Sequence, residues 1–139
     1  SMVFPQIKAL LRPRTTKQLG DAAEDAALQH LRQAGLRLLE RNYRSRYGEI
    51  DLIMRHADTL VFVEVRYRQS TRFGSPAETV DARKQAKIRA TAEHYLQQHP
   101  QRAGVSCRFD VVAMTPASDT DAKQAARYTL NWLPDAFGV

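Results

Sequence analysis

The side chains best suited to chemistry sit in two short runs of the 139-residue chain. Glu49-Ile50-Asp51-Leu52-Ile53-Met54-Arg55 and Thr59-Leu60-Val61-Phe62-Val63-Glu64-Val65-Arg66-Tyr67-Arg68 interleave ionisable residues with apolar ones, and His56, Ala57 and Asp58 separate them. That spacing predicts a β-hairpin. With Ala57 and Asp58 as a two-residue turn, His56 pairs with Thr59, Asp51 falls opposite Glu64, and Glu49 falls opposite Arg66. Ile50, Leu52 and Met54 then share one face of the strand, while Glu49, Asp51 and Ile53 share the other. Two carboxylates facing each other across a strand pair repel, by an amount within the ~0.2–1 kcal/mol range of cross-strand pairs. A divalent cation such as Mg2+ or Mn2+ offsets that repulsion, because it prefers oxygen ligands and is held by one or two carboxylates with substrate phosphate and water. A purely structural cluster, in which Arg66 bridges both acids, is the alternative. A three-residue turn would separate the two acids to opposite faces.

Glu24 is a third acid. Leu19, Ala23, Ala26, Ala27, Leu31 and Ala34 recur at helical spacing and Gly35 stands at the C-terminal cap, which predicts a helix from Lys17 to Ala34. On it Glu24 lies about 100° from Ala23, at the border of the apolar stripe. It either leans over the edge of the sheet or is an ordinary surface Glu; Asp25 points further toward solvent. Basic residues gather later in the chain. Arg83, Lys84, Lys87 and Arg89 occupy a stretch, Ala82 to Ala92, that contains no acid, and Arg68, Arg72 and Phe73 precede it. Bases beside an aromatic suit phosphate contact and base stacking. The plainer reading is a solvated helix face and a loop. Lys84, in the first turn of that second helix, is a candidate catalytic lysine or another solvated cation.

The remaining elements must position these groups. Leu36 to Arg46 reads as an edge strand ended by Gly48, the two hairpin strands follow, and the polar segment Gln69 to Glu78 leads to a helix from Asp81 to Gln98 stopped by Pro100. Arg108 to Met114 and Tyr128 to Leu133 complete the strands, the last ending before Pro134. The result is an α/β sandwich around a mixed sheet flanked by helices, with a parallel crossover where a helix joins the third strand to the fourth. Tyr128, Leu130 and Trp132 alternate as a packing face.

With 43% hydrophobic and 26% charged residues, the chain has the balance of one globular domain, which argues against disorder. Its 21 Lys plus Arg against 15 Asp plus Glu give a formal charge of +6, which favours polyanionic partners. Leu60 to Val65 is far too short to span a membrane, and no signal-peptide pattern follows the N-terminus, so a cytoplasmic location is expected. Ser1 ahead of Met2 reads as a tag-cleavage remnant. Cys107, the single cysteine, excludes an internal disulfide and reads as a small apolar residue opening a strand, and the four histidines lack metal-ligand spacing.

Gly20 to Ala27 (GDAAEDAA), Arg41-Asn42-Tyr43-Arg44, Gly48-Glu49-Ile50-Asp51-Leu52-Ile53, Val61 to Arg68, Lys84-Gln85 and Arg108-Phe109-Asp110-Val111-Val112 occur in that order. Together they resemble the YraN family, bacterial proteins regarded as endonuclease-like and related to archaeal Holliday-junction resolvases within the PD-(D/E)XK superfamily. The likeness runs from about Leu19 to Phe137. It implies a restriction-endonuclease-like αβββαβ core in a single endonuclease-like domain at 16–139; ahead of it the first residues, carrying Lys8, Arg12 and Arg14 without an acid, read as a basic arm at 1–15 or a solvated tail. It also implies that Asp51 and Glu64 bind a catalytic Mg2+ or Mn2+, that Glu24 supplies the additional acid from the first helix, and that the backbone carbonyl of Val65 is a further ligand. The departure is Arg66, which stands where the superfamily has a lysine. Arginine remains protonated and offers a planar fork, so it can clamp phosphate but is a poor proton acceptor. The expectation is a metal-dependent nuclease acting on DNA, branched or single-stranded, in which Glu24, Asp51, Glu64, Arg66 and Lys84 carry catalysis. The alternative is a nucleic-acid-binding protein that keeps the fold without turnover. A homodimer follows only by analogy with resolvase-like relatives.

Overall fold

The computed structural model describes residues 15–68, 80–117 and 128–139. The basic arm, the polar segment with Arg72 and Phe73, and most of the loop after Pro116 lie outside the described residues. Helix α1 spans Thr16–Gln33. Its first turn is closed by a capping box: Gln18 N donates to Thr15 Oγ1 at 3.1 Å, and Thr15 N donates to Gln18 Oε1 at 2.9 Å. Its end is a Schellman motif. Gly35 takes φ 99°, its N–H reaches Arg32 O at 3.0 Å, and Leu36 N reaches Leu31 O at 3.0 Å. Leu31 and Leu36, which this turn brings together, are both buried.

Strands β1 (Arg37–Ser45), β2 (Gly48–His56) and β3 (Thr59–Tyr67) form an antiparallel meander. Helix α2 (Ala82–Gln98) then crosses to β4 (Cys107–Pro116), which lies parallel to β3, and β5 (Tyr128–Phe137) returns antiparallel to β4. The sheet order is β1-β2-β3-β4-β5. This is the expected α/β architecture, a mixed sheet with a helix over each face and the crossover where the sequence placed it.

Two cores hold the layers together. Ala23, Ala27, Leu28 and Leu31 of α1 pack with Leu52, Met54, Val61, Val63, Val112 and Met114. Ile88, Ala92 and Tyr95, one stripe of α2, pack with Ile53, Leu60, Phe62, Phe109 and Val111 on the other face. Tyr128, Leu130 and Trp132 pack against the α1-side core, as their alternation suggested. Cys107 opens β4, half-buried, and burial raises its thiol pKa. No helix among the described residues is long and apolar enough to cross a membrane.

Two expectations need correction. Strand β5 does not stop before Pro134 but continues to Phe137. It is an edge strand, so a residue without an N–H is tolerated there. The register shift between Phe109 and Val111, with Asp135 at φ 51°, absorbs the irregularity. The second concerns β2. Ile50 was expected to share a face with Leu52 and Met54, yet it packs with Ile53 and Ile88 in the opposite core. The pleat resets near Asp51, where the β2–β3 pairing ends at Leu52↔Val63 and the facing residue of β1, Asn42, takes a left-handed φ of 56°.

Candidate functional site

The hairpin register is the one its turn length predicts, from His56↔Thr59 to Leu52↔Val63. Continued one step it brings Asp51 beside Glu64. Past the last paired residues a side chain takes over the role of the ladder: Val65 N donates to Asp51 Oδ2 at 2.7 Å. Burial first, and then the negative charge of Glu64, push Asp51 up to about 8, only partly opposed by the Val65 N–H. Glu64 is itself 7% exposed, and its Oε2 has no hydrogen-bond partner. Lys84 Nζ stands 3.5 Å from that oxygen. Lys84 is fixed in the first turn of α2 by the N-cap, where its own backbone N–H donates to Asp81 Oδ1 at 2.8 Å.

Glu24 is 8% exposed, so it is not an ordinary surface Glu. Arg41 Nε donates to its Oε1 at 2.6 Å, and another nitrogen of the same guanidinium lies 2.6 Å from Asp25 Oδ1. Burial raises the Glu24 carboxyl pKa; the Arg41 bond opposes this, and the charge of Asp51 adds to it. Glu24 and Asp51 are thus within electrostatic reach, although Glu24 is committed to Arg41.

Glu49 does not stand with Arg66. It pairs with Arg44 at 3.4 Å, and the amide of Asn42 lies between it and Glu24. The reset of the β2 pleat turns Glu49 toward the α1 side. Arg66 in turn makes no ion pair with Asp51 or Glu64, and its Nε has no partner. The structural alternative, an Arg66 bridge between two acids, is therefore not what forms.

No three His, Cys, Asp or Glu side chains gather into a metal-holding group among the described residues. Magnesium does not require one, since it keeps several waters and is commonly held by one or two carboxylates. Two buried carboxyls adjoin here beside Lys84: Glu64, whose Oε2 accepts no hydrogen bond, and Asp51, pushed up to about 8. The oxygen donors present fit Mg2+ or Mn2+ and do not fit a soft metal.

Of the residues expected to meet nucleic acid, Arg68, Arg83 and Lys87 are exposed, and Arg72 and Phe73 lie outside the described residues. The β1–β2 turn adds a pair that the spacing of charges did not single out. Tyr47 is 41% exposed, the Arg46 guanidinium stands 4.9 Å from its ring centre, and the same group donates to its hydroxyl at 2.7 Å. Gly48, at φ 152°, sits in this turn close to α2, where a Cβ would make ordinary contact with Thr91 Oγ1 at 3.5 Å and Lys87 Cβ at 3.6 Å. Arg41 and Asn42 were also missed as site residues. They lie in the Arg41-Asn42-Tyr43-Arg44 run, but a polar pair on an edge strand carries no periodic signal of what it touches.

Residues 23–114 match the family described as Uncharacterised protein family UPF0102. A UPF0102 protein of Stutzerimonas stutzeri is 51% identical over 119 residues, covering 85% of this chain and 92% of its own length. One from Nitrosococcus oceani is 43% identical over 129 residues, covering 93% and 98%. A third, from Pseudomonas entomophila, is 49% identical over 118 residues, covering 85% and 91%.

Proposed function

The chain belongs to UPF0102, the YraN family, and we propose that it is a metal-dependent nuclease that hydrolyses DNA phosphodiester bonds. The observation that carries this reading is the buried Asp51–Glu64 pair, whose Glu64 Oε2 accepts no hydrogen bond and faces Lys84 Nζ at 3.5 Å, in a chain of net charge +6. Asp51 and Glu64 hold the metal, with Glu24 and the Val65 carbonyl as the further ligands the family resemblance implies. When bound, Mg2+ or Mn2+ supplies Lewis-acid polarisation of the phosphate and a lowered pKa for water. Arg66 stays protonated, so it binds phosphate oxygen and stabilises developing negative charge but takes no proton. Lys84 brings a second positive charge to the same place. Arg68, Arg72, Arg83 and Lys87 contact the phosphate backbone, and Phe73 with Tyr47 offers stacking surfaces. Branched or single-stranded DNA, whose bases are accessible to such rings, is the favoured substrate, and such a role belongs in the cytoplasm. A homodimer fits the resolvase likeness.

The test is incubation of the purified protein with branched, single-stranded and duplex DNA in Mg2+ or Mn2+, with Asp51→Asn and Glu64→Gln as controls. Metal-dependent cleavage abolished by both substitutions supports the reading; no cleavage, or cleavage that survives both, rejects it.

Two observations favour a second reading, DNA binding without turnover. The Lys84 ammonium already neutralises Glu64 at 3.5 Å, and arginine replaces the superfamily's lysine at position 66. That protein binds DNA in a salt-dependent way whether or not its acids are intact. Calorimetric Mn2+ binding that Asp51→Asn abolishes counts against it.

A further inference from the structure

Strand β1 breaks its regular conformation next to the acids. Asn42 has φ 56°, in the left-handed region that is uncommon for any residue with a Cβ and that Asn tolerates better than most. A backbone held there is maintained by its surroundings, and such positions concentrate at functional sites. The register puts Asn42 between Arg41↔Leu52 and Tyr43↔Ile50, hence across from Asp51. With its nitrogen turned inward, the Asn42 amide donates to Glu24 Oε1 at 3.2 Å and to Glu49 Oε1 at 3.3 Å. One side chain thereby ties helix α1 to the start of β2. Glu24 Oε1 also accepts from Arg41 Nε at 2.6 Å. Both donors meet the same oxygen, and no hydrogen bond among the described residues reaches Glu24 Oε2.

We propose that Asn42 is a positioning residue of the acidic site. Its left-handed backbone turns the amide between Glu24 and Glu49 and anchors Glu24 through Oε1, so that Oε2 is free of these bonds. The consequence for metal rests on the nuclease reading; the bridge itself does not. Backbone and amide contributions can be separated. Asn42→Gly accepts the left-handed φ and deletes the amide, whereas Asn42→Ala loses both.

Two measurements on the full chain decide the matter. In Mn2+ calorimetry, Asn42→Gly folds as the parent does but binds at least about tenfold more weakly, the size of loss seen when a group orienting a metal ligand is removed. Parent-like Mn2+ affinity in the glycine variant would overturn the proposal, because only the backbone conformation would then matter. The second measurement is a double-mutant cycle of Asn42→Gly with Glu24→Ala on thermal unfolding in EDTA. The proposal expects the two shifts to be non-additive, and simple addition of the shifts rejects the bridge. A parent that binds no Mn2+ defeats the nuclease reading, and the metal-free cycle then settles the Asn42 bridge alone.

Discussion

Val65 donates its main-chain N–H to Asp51 Oδ2 at 2.7 Å, one residue beyond Glu64. The sheet pairing of β2 and β3 ends at Leu52↔Val63, and a carboxyl from β2 takes up the next donor of β3. This builds an acid into the edge of a buried ladder. It also fixes Asp51 beside Glu64, whose charge, together with burial, disfavours ionisation of Asp51.

The first prediction concerns pH. Burial and Glu64 raise the Asp51 pKa from 3.8 to about 8, so the folded chain holds a proton that the unfolded chain releases. The stabilisation linked to that proton is fully present below about pH 4 and is lost as pH rises to about 8, at up to about 1.4 kcal/mol per pH unit. Asp51→Asn keeps an oxygen for the Val65 N–H and cannot ionise. Without metal it should unfold at a higher temperature than the parent at pH 8, with the difference shrinking toward pH 5. Mn2+ should raise the parent's melting temperature more at pH 8 than at pH 6 and leave the variant's unchanged. Parallel melting curves from pH 5 to 8 would refute the linkage.

Much of this arrangement was legible in the residues. Ala57-Asp58 as a two-residue turn set the register from which Asp51 and Glu64 meet, and Gly35 marked the end of α1 because only a left-handed residue closes a Schellman turn cheaply. The faces of β2 were misassigned for one physical reason. Alternation assumes an unbroken pleat, and Asn42 with its left-handed backbone interrupts it, so Ile50 and Glu49 were assigned to the wrong sides. A polar residue on a polar edge strand gives no sign of its φ. Pro134 misled in the opposite sense, since on an edge strand its missing N–H costs no ladder bond.

Ala57 offers a test of the hairpin apart from the site. It opens the turn at φ 53°, a conformation that disfavours a Cβ by roughly 1–2 kcal/mol. Ala57→Gly relieves this and loses part of the gain to greater unfolded-state freedom. The expected net is a stabilisation of about 0.5–1 kcal/mol in urea unfolding, with cleavage and Mn2+ binding unchanged. A destabilised glycine variant would show that the turn is not strained.

Asp110, within the Arg108-Phe109-Asp110-Val111-Val112 motif, is a buried acid with a different task. It is 0% exposed, and its oxygens accept from Arg108 Nε at 3.0 Å, Trp132 Nε1 at 2.9 Å and Asp135 N at 2.9 Å. It therefore joins the β4 chain to the irregular end of β5. Asp110→Ala strands the Arg108 cation and two N–H groups, which should cost about 3–5 kcal/mol in chemical unfolding. Asp110→Asn, which keeps an acceptor, should cost less. A loss below about 1 kcal/mol for the alanine variant would contradict this bracing role.

Arg66 provides the sharpest discrimination between turnover and simple binding. Its Nε is buried without a hydrogen-bond partner, and among the described residues it pairs with neither Asp51 nor Glu64, so its charge is not committed to either acid. A positive charge aimed at a developing oxyanion acts mainly in the transition state, and losing one such group typically lowers rate by about 100-fold or more. Arg66→Ala should therefore reduce the cleavage rate by at least that factor while weakening DNA binding only a few-fold. Arg66→Lys retains the charge without the planar fork and should recover part of the rate. Binding and cleavage that fall together in Arg66→Ala would mean the arginine serves affinity alone. The charge beside Glu64 would then be a DNA anchor, and Lys84→Ala, measured in the same assays, should show the same proportional loss.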